Sequence, residues 1–264
     1  MASPFRGIGS DKVMFVSAGA SGIGRVIARA ALAQGCRVHV CDVSADAVGQ
    51  FLAEHPQATA TVADVSVPGD VDRIFADLAR LGRLDILVNC AGIAGPTSAV
   101  EDMSIADWDR TIAVDLSGVF YVTRRAVPML KAAGGGSIIN ISSSAAFGGF
   151  PLRSPYSAAK WALLGLTKTW AMELGAAKIR VNALCPGSVN GPRIDRVIDA
   201  AAKELGVEPQ VVRRKYLDQT SLGIFVEAED IAQMILFLAS DLGAAISGQI
   251  IGIDGHTESL SYKG

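Results

Sequence analysis

The amino-acid sequence predicts an α/β fold, a doubly wound, seven-stranded parallel sheet with helices on both faces. Short runs rich in β-branched residues alternate with longer segments of helical periodicity, which is typical of a parallel sheet covered on both sides. The chain has 264 residues, 50% of them hydrophobic, which is enough for one large core. No repeat, low-complexity tract or linker divides it, so we expect residues 1–264 to form a single domain.

Seven apolar runs predict the strands. In chain order they are VMFVS (13–17), RVHVCD (37–42), ATATVA (58–63), DILVN (85–89), SIINIS (137–142), IRVNALC (179–185) and QIIGID (249–254). The periodicity of the segments between them predicts helices at about 22–34, 44–54, 68–81, 104–132, 155–175 and 228–240.

One region, 187–222, does not fit this alternation. It begins with PGSVNGPR and continues as two short amphipathic pieces, IDRVIDAAAKEL and PQVVRRKYLDQ. An insertion between a strand and the next helix lies at the carboxyl end of the sheet, where such folds bind ligands. We therefore expect a mobile substrate lid.

Composition argues against several classes of protein. A net charge of −2 gives no electrostatic footprint for nucleic acid. The apolar stretches are shorter than the roughly 20 residues of a membrane span, and MASPFRGIGSDK has no apolar signal core, so we predict a cytoplasmic protein without membrane contact. The cysteines at 36, 41, 90 and 185 lack metal-site spacing. We predict no metal, and expect these cysteines and the strand residue His39 to pack in the core.

The stretch VSAGASGIG, residues 16–24, joins the first strand to the first helix. A glycine-rich turn there aims free backbone N–H groups and the helix dipole at a bound anion. Gly22 and Gly24 suit close approach of a phosphate and helix packing, whereas Ala18 fits only with negative φ, and Gly19 beside it would relax the turn. An ordinary tight turn is the alternative. The candidate cofactor-binding residues of this loop are Ser17, Gly19, Ser21, Gly22, Ile23 and Gly24.

Asp42 ends the second predicted strand, 18 residues after Gly24. This is close to the spacing of about 20 residues expected for an acid that binds the adenosine ribose hydroxyls of a dinucleotide. A carboxylate there would repel the extra phosphate of NADP, and neither 17–24 nor 42–50 contains a lysine or arginine. The sequence therefore favours NAD. Alternatively Asp42 caps the following helix, although Ser44 could take that position.

The strongest catalytic pattern is YSAAK, which follows Ser154-Pro155 and places Tyr156 and Lys160 one turn apart on a helix face. A phenol, with an ordinary pKa of about 10, exchanges protons poorly at pH 7. A neighbouring ammonium favours its phenolate form. Ser143, after the SIINIS strand, could bind the same substrate oxygen. A lone YxxxK is also common on surface helices, so its position after Ser143 and a cofactor loop is what favours catalysis.

With these pieces in view, residues 11–256 resemble the short-chain dehydrogenases/reductases in their single-domain Rossmann-type form. The motifs stand in family order: the glycine loop 17–24, Asp42, Ala63-Asp64-Val65, Asn89-Cys-Ala-Gly92, Asn140-Ile-Ser-Ser143, Tyr156-Ser-Ala-Ala-Lys160, Pro186-Gly187 and Gly252-Ile-Asp-Gly255.

The resemblance implies NAD(P)-dependent hydride transfer between a small-molecule secondary alcohol and its ketone, with Ser143, Tyr156 and Lys160 as catalytic residues. Lys160 would also bind the nicotinamide ribose. Further cofactor contacts are implied at Asp64 and Val65 for the adenine, at Asn89, Ala91 and Gly92 for the ribose region, at Pro186 and Gly187, and at Val189 for the carboxamide.

Three positions depart from the family pattern. Ser17-Ala18 stands in place of Thr-Gly, and Asp115 stands in place of an asparagine that supports a water-linked proton path from the lysine. The Asp115 backbone can keep that role, while its carboxylate would alter the local electrostatics, so we include it among the catalytic candidates. Gly191 replaces a threonine that would contact the cofactor.

Two functional alternatives remain open on the residues alone, namely a non-catalytic NAD-binding regulator and a nucleotide-sugar epimerase or dehydratase. The substrate is not identified. Arg153, Arg193 and Arg196 suit either an anionic or polyhydroxylated substrate or simple rim positions. The resemblance also predicts a homotetramer that pairs through the helices at 104–132 and 155–175 and through the last strand.

Overall fold

The first strand enters the middle of a seven-stranded parallel sheet whose spatial order is β3-β2-β1-β4-β5-β6-β7. The computed structural model describes residues 5–257, without the side chains of 200, 201 and 204. The strands are β1 (Val13–Ser17), β2 (Arg37–Asp42), β3 (Thr59–Val62), β4 (Ile86–Asn89), β5 (Gly136–Ile141), β6 (Ile179–Pro186) and β7 (Ile250–Ile253). The predicted fold class and all seven strands are confirmed, with ends shifted by one residue at most.

The helices lie between the strands, as the periodicity predicts. They are α1 (Gly22–Ala33), α2 (Ala45–Glu54), α3 (Pro68–Ala79), α4 (Ile105–Ile112), α5 (Gly118–Ala132), α6 (Ser154–Leu174), α7 (Pro192–Leu205), α8 (Pro209–Leu217) and α9 (Ala228–Ala239). The predicted helix 104–132 is two helices, because a π-helical turn at Ala113–Ser117 separates α4 from α5. Such turns are rare and often occur at functional sites.

Each face of the sheet buries its own apolar core. Ile27, Phe51 and Ile235, from α1, α2 and α9, belong to the core on one face. On the other face, Ile74 of α3 and Leu163 of α6 pack with residues of α5. Because the strands are covered on both sides, they are almost continuously apolar, which explains why the sequence reveals them so clearly.

Chain order fixes where a ligand can bind. The chain moves outward from β1 to β3, returns to β4 beside β1, and then moves outward to β7. The carboxyl ends of β1 and β4 therefore flank the switch point at which doubly wound sheets bind their ligands. The two predicted lid pieces are α7 and α8, which share a small core of Ile198, Ala202, Val212 and Phe225. Within residues 5–257, no helix combines the length and apolarity needed to cross a membrane.

Candidate active site

The turn after β1 differs from the sequence prediction at Ala18. Its φ is +50°, in the left-handed region, so the prediction of negative φ was wrong. The turn requires this conformation because the next N–H, that of Gly19, bonds the Cys41 carbonyl oxygen of β2 at 2.9 Å. Gly19 does not relax the turn either, because a Cβ there would lie 2.6 Å from Val40 Cγ1. It is glycine because β2 packs against it.

The two later glycines of the loop have different surroundings, and Gly24 has the packing role that the sequence predicts. Gly22 has φ of +50°, and no atom of the described residues lies within 4 Å of the place where its Cβ would stand. A Cβ on Gly24 would lie 2.1 Å from the Ala18 carbonyl oxygen, so this glycine allows α1 to begin directly against β1. The half-buried Ile23 lies between them. The exposed, open start of α1 at Gly22 fits the phosphates of a dinucleotide.

Asp42 contacts this loop from the end of β2. Ser21 Oγ donates to Asp42 Oδ2 at 2.9 Å, and the Ser44 N–H donates to Asp42 Oδ1 at 3.2 Å. Ser44 itself caps α2 by accepting the Ala47 N–H. The helix-cap alternative for Asp42 is therefore wrong, and its carboxylate lies beside the glycine loop, where the ribose interpretation requires it.

Ser17 positions the strand end that the resemblance assigns to the cofactor ribose. Its Oγ accepts the N–H groups of Cys90 and Ala91, at 2.9 and 3.0 Å, and the side chain is 2% exposed. The hydroxyl therefore acts within the protein, joining β1 to the segment after β4. Gly92 follows on this segment and is exposed.

Asn89 is the centre of a buried polar network that the sequence analysis missed. Its Nδ2 donates to Thr123 Oγ1 of α5 and to Asn140 Oδ1 of β5, and Asn140 Nδ2 donates to Thr167 Oγ1 of α6. The network ties two strands to two helices below the site. The Asn89 Nδ2 is committed to this network, whereas its buried Oδ1 accepts no hydrogen bond within residues 5–257.

Asp64 and Val65 follow β3. Arg110 of α4 donates to Asp64 Oδ2 at 2.8 Å, and the Ser66 N–H and hydroxyl both donate to Oδ1. Partial burial would raise the pKa of Asp64, but these hydrogen bonds outweigh it and the pKa is lowered. Val65 is buried against Gly118, where a Cβ would lie 2.8 Å from Val65 Cγ2.

Lys160 lies one helical turn after Tyr156 in α6, as the YSAAK spacing predicts. It is 4% exposed, and its Nζ donates to the Ile141 carbonyl oxygen at 3.2 Å and lies 5.6 Å from the centroid of the Tyr156 ring. Ser142, which the sequence analysis did not single out, fixes the lysine backbone by donating Oγ to the Lys160 carbonyl oxygen at 2.8 Å. Residues at the end of β5 therefore fix both the side-chain nitrogen and the backbone carbonyl of Lys160.

Asp115 forms a buried ion pair with the lysine. It is fully buried, its Oδ2 lies 3.4 Å from Lys160 Nζ, and its Oδ1 accepts the Ile93 N–H at 2.7 Å. Within residues 5–257, Oδ2 accepts no hydrogen bond. The π-helical turn presents this side chain, and a Cβ on Gly92 would lie 3.1 Å from Lys160 Nζ. The aspartate that replaces the family asparagine thus neutralises the lysine.

Ser143 follows the end of β5 and is half-buried. It has extended backbone geometry, and its Oγ accepts the Ala145 N–H at 3.1 Å, at the start of the 3-10 turn Ser144–Ala146. A hydroxyl that accepts one N–H can still donate to a substrate oxygen. Ser143, Tyr156, Lys160 and Asp115, predicted from separate motifs, therefore lie at one edge of the sheet.

The segment after β6 begins the lid. Gly187 packs so closely on β7 that a Cβ would lie 2.9 Å from the Cα of Asp254, while Val189 forms a parallel bridge with Val226. Pro186 is the last residue of β6. Gly191 has φ of +134°, which strains any residue that has a side chain, so the threonine of the family pattern does not suit this turn.

Comparisons with known proteins agree with this geometry. A family model described as enoyl-(acyl carrier protein) reductase matches residues 17–256. The chain is 36% identical to a 3-oxoacyl-[acyl-carrier-protein] reductase of Thermotoga maritima, over 92% of this chain and 96% of the relative. It is 40% identical to a trans-4-hydroxycyclohexanecarboxylate dehydrogenase of Sinomonas cyclohexanicum, over 93% and 92%.

Solved structures show the same relationship. An NAD+-bound xylitol dehydrogenase superposes with a TM-score of 0.88 at 26% identity, covering 96% of this chain and all of that one. Levodione reductase superposes with a TM-score of 0.87 at 30% identity, covering 94% and 97%.

The chain belongs to the short-chain dehydrogenase/reductase family. It is an oxidoreductase that acts on CH–OH groups and their carbonyl counterparts with a nicotinamide cofactor.

Proposed function

We propose that this protein is an NAD-dependent dehydrogenase that interconverts a secondary alcohol and its ketone, with Tyr156 as the acid/base. The observation that carries the proposal is the buried Lys160 held against the Tyr156 ring, at the same sheet edge as the glycine loop and Asp42. A side chain fixed at two points loses little further freedom when substrate and cofactor bind.

In this mechanism, Ser143 and Tyr156 bind the substrate hydroxyl between them. Tyr156 removes its proton during oxidation and returns it during reduction. Lys160 binds the nicotinamide ribose, and Asp115 and the Ile141 carbonyl oxygen keep its Nζ in place. Bound NAD would supply the hydride acceptor.

The remaining contacts follow the sheet edge. We assign the phosphates to the N–H groups of the loop 19–24 and the adenine to Asp64 and Val65. The ribose region would lie against the segment from Asn89 to Gly92, and the carboxamide against the backbone from Pro186 to Val189. These assignments rest on the family resemblance and on the placement of all these segments at the carboxyl ends of the strands.

The role of Tyr156 can be tested by substitution with phenylalanine. We expect Tyr156→Phe to bind NADH normally and to lose about 100-fold or more in kcat, because general acid–base catalysis contributes about 10²–10⁴-fold. Tyr121→Phe, in α5, is the matched control and should keep its rate. Full turnover by Tyr156→Phe would disprove the mechanism.

We propose that Asp42 selects NAD over NADP. Replacing its carboxylate by an amide in Asp42→Asn should raise the NADP to NAD affinity ratio by about tenfold or more, because two like charges about 4 Å apart repel by about 1–4 kcal/mol. Asp46→Asn, at an exposed position in the first turn of α2, is the control. Isothermal titration with both cofactors measures the ratio. An unchanged ratio would show that Asp42 does not discriminate.

We also propose a cytoplasmic homotetramer, with α4 to α6 forming one interface. Of the aromatic residues on these helices, Trp108, Phe120 and Trp161 are 40–50% exposed, whereas Trp170 packs in the core. Large exposed apolar side chains on adjoining helices are typical of a subunit interface. Light scattering should give the tetramer mass for the wild type and a smaller mass for Phe120→Glu. A stable wild-type monomer would contradict this proposal.

We further propose that residues 1–264 act as one domain with 187–222 as its lid. The support is that α7 and α8 have little core of their own beyond four buried residues. Denaturant unfolding should then follow one transition by both fluorescence and circular dichroism. A separate early transition would instead show an independent lid.

A further inference from the structure

Arg153 lies directly against the proposed acid/base. Its Cζ is 5.6 Å from the centroid of the Tyr156 ring and 5.5 Å from that of the Phe150 ring. Its Nη2 donates to the Ala94 carbonyl oxygen at 2.7 Å, and its Nη1 donates to Thr97 Oγ1 at 3.0 Å. The guanidinium therefore joins the start of α6 to the segment 94–97 at the site.

All of these partners are neutral. Over residues 5–257, no carboxylate lies within 4 Å of the Arg153 guanidinium, and its Nε–H has no hydrogen-bond acceptor. A partly buried charge without a counter-ion is costly, and buried charges are normally paired. Lys160, the other cation against the Tyr156 ring, already has Asp115 as its counter-ion. The net positive charge beside Tyr156 therefore comes from Arg153.

A second cation belongs to the predicted lid. Arg193, the second residue of α7, is exposed and has no ion pair in the part of the chain that the structure describes. Burial lowers the pKa of Arg153, and the positive charge of Arg193 acts in the same direction. Arg193 also interacts with the thiol of Cys90 after β4, where burial raises the pKa to about 12 and the charges of Lys160 and Arg193 oppose the rise.

These distances and charges indicate what the site can recognise. The Arg153 guanidinium, fixed at the start of α6, makes the site positive beside the reacting group, and Arg193 on the lid adds a second positive charge that acts on it. A cleft of one sign concentrates ligands of the opposite sign, and guanidinium binds an oxyanion through paired, charge-assisted hydrogen bonds. A neutral alcohol would leave both charges without a partner.

We propose that the substrate is a hydroxy acid, whose carboxylate binds Arg153 and Arg193 while its carbinol lies at Ser143 and Tyr156. This inference rests on the proposed function and adds the substrate class to it. Because Arg153 contacts the Tyr156 ring itself, only a short carbon skeleton separates the carboxylate from the carbinol carbon. Binding would also draw Arg193, and with it the start of α7, onto the site.

The test uses a panel of short aliphatic and alicyclic hydroxy acids, each paired with its neutral primary amide. We expect kcat/KM for the best acid to exceed that for its amide by at least about tenfold, the ratio expected of one charge-assisted hydrogen bond. Arg153→Met and Arg193→Gln should each reduce this ratio toward one, and Arg153→Lys should restore part of it. Equal kcat/KM values for the acid and its amide in the wild type would overturn the proposal.

Three controls separate the proposal from other roles of these arginines. Arg196→Gln removes a charge from α7, the helix that carries Arg193, and should keep the preference for the acid. A loss of preference equal to that of Arg193→Gln would show a long-range charge effect instead of binding. Thr97→Val removes the hydroxyl that accepts from Arg153 but keeps the guanidinium, so this variant should keep the preference for the acid. A loss of preference in Thr97→Val equal to that in Arg153→Met would show that the link to segment 94–97 matters and not the charge. Reduced NADH affinity in Arg193→Gln with an unchanged preference would assign that arginine to the cofactor and overturn its role here.

A binding measurement distinguishes this inference from the proposed function. Calorimetry on Tyr156→Phe loaded with NAD needs no turnover. If the acid binds this variant at least about tenfold more tightly than the amide, the carboxylate site stands even if the acid/base assignment fails. Equal affinities would overturn the carboxylate site whatever the catalytic result.

Discussion

The buried imidazole of His39 should make the stability of this protein depend on pH. His39 lies in β2 with no exposed surface, and its Nδ1 is 2.8 Å from Thr59 Oγ1 and its Nε2 3.2 Å from Thr61 Oγ1. Burial lowers the pKa of His39 from 6.5 to about 4, although the charge of Asp77 opposes this. The folded protein therefore keeps the ring neutral at pH values where the unfolded chain protonates it.

The direction and size of the change in stability follow from the linkage between proton binding and folding. A depressed folded-state pKa contributes stability above pH 6.5, and this stability is lost as pH falls toward about 4. A pH of 5 is about 1.5 units below the unperturbed histidine pKa of about 6.5, which applies to the unfolded chain. Each unit corresponds to about 1.36 kcal/mol, so the free energy of unfolding falls by about 2 kcal/mol.

Urea unfolding at pH 7.5 and pH 5 measures this loss. We expect the free energy of unfolding to fall by about 2 kcal/mol more in the wild type than in His39→Gln, which cannot titrate at this position. The same substitution at the exposed His256 controls for loss of an imidazole from the chain. If His39→Gln and the wild type lose the same free energy between the two pH values, the burial argument is wrong.

Two further predictions concern the glycine loop. Gly24→Ala should lower the free energy of unfolding by about 1–3 kcal/mol and weaken NADH binding measured by fluorescence, because the added methyl would lie 2.1 Å from the Ala18 carbonyl oxygen. Gly165→Ala in α6 meets no described atom within 4 Å and should be neutral or stabilising by up to about 1 kcal/mol, so equal losses at both sites would refute the packing argument. Ala18→Gly should raise the free energy of unfolding by up to about 1 kcal/mol, since relief of left-handed strain exceeds the added chain entropy, and NAD affinity should stay roughly intact. A loss of stability in urea would show instead that the Ala18 methyl contributes to packing.

The sequence predicts this fold well because its signals are local. A parallel strand buried on both faces must be apolar throughout, so VMFVS and IRVNALC identify β1 and β6 without further information. The YSAAK spacing similarly requires Tyr156 and Lys160 to share a helix face. Where a long-range contact decides the geometry, local reasoning fails. The conformation of Ala18 depends on a hydrogen bond from the next residue to Cys41, and the π-helical turn interrupts a helix whose periodicity looks continuous.

By itself, then, the sequence determined the α/β class and the order of strands and helices, and it indicated the candidate catalytic and cofactor-loop residues, because each depends on neighbours within a few positions. Only the tertiary structure decided how charges are paired. Asp115 and Lys160 are far apart in the chain, yet they form a buried ion pair. Arg153 lies against the Tyr156 ring, and its hydrogen-bond acceptors are neutral. Whether a charge is neutralised depends on which groups the fold brings within a few ångströms, and that information is not local to any motif.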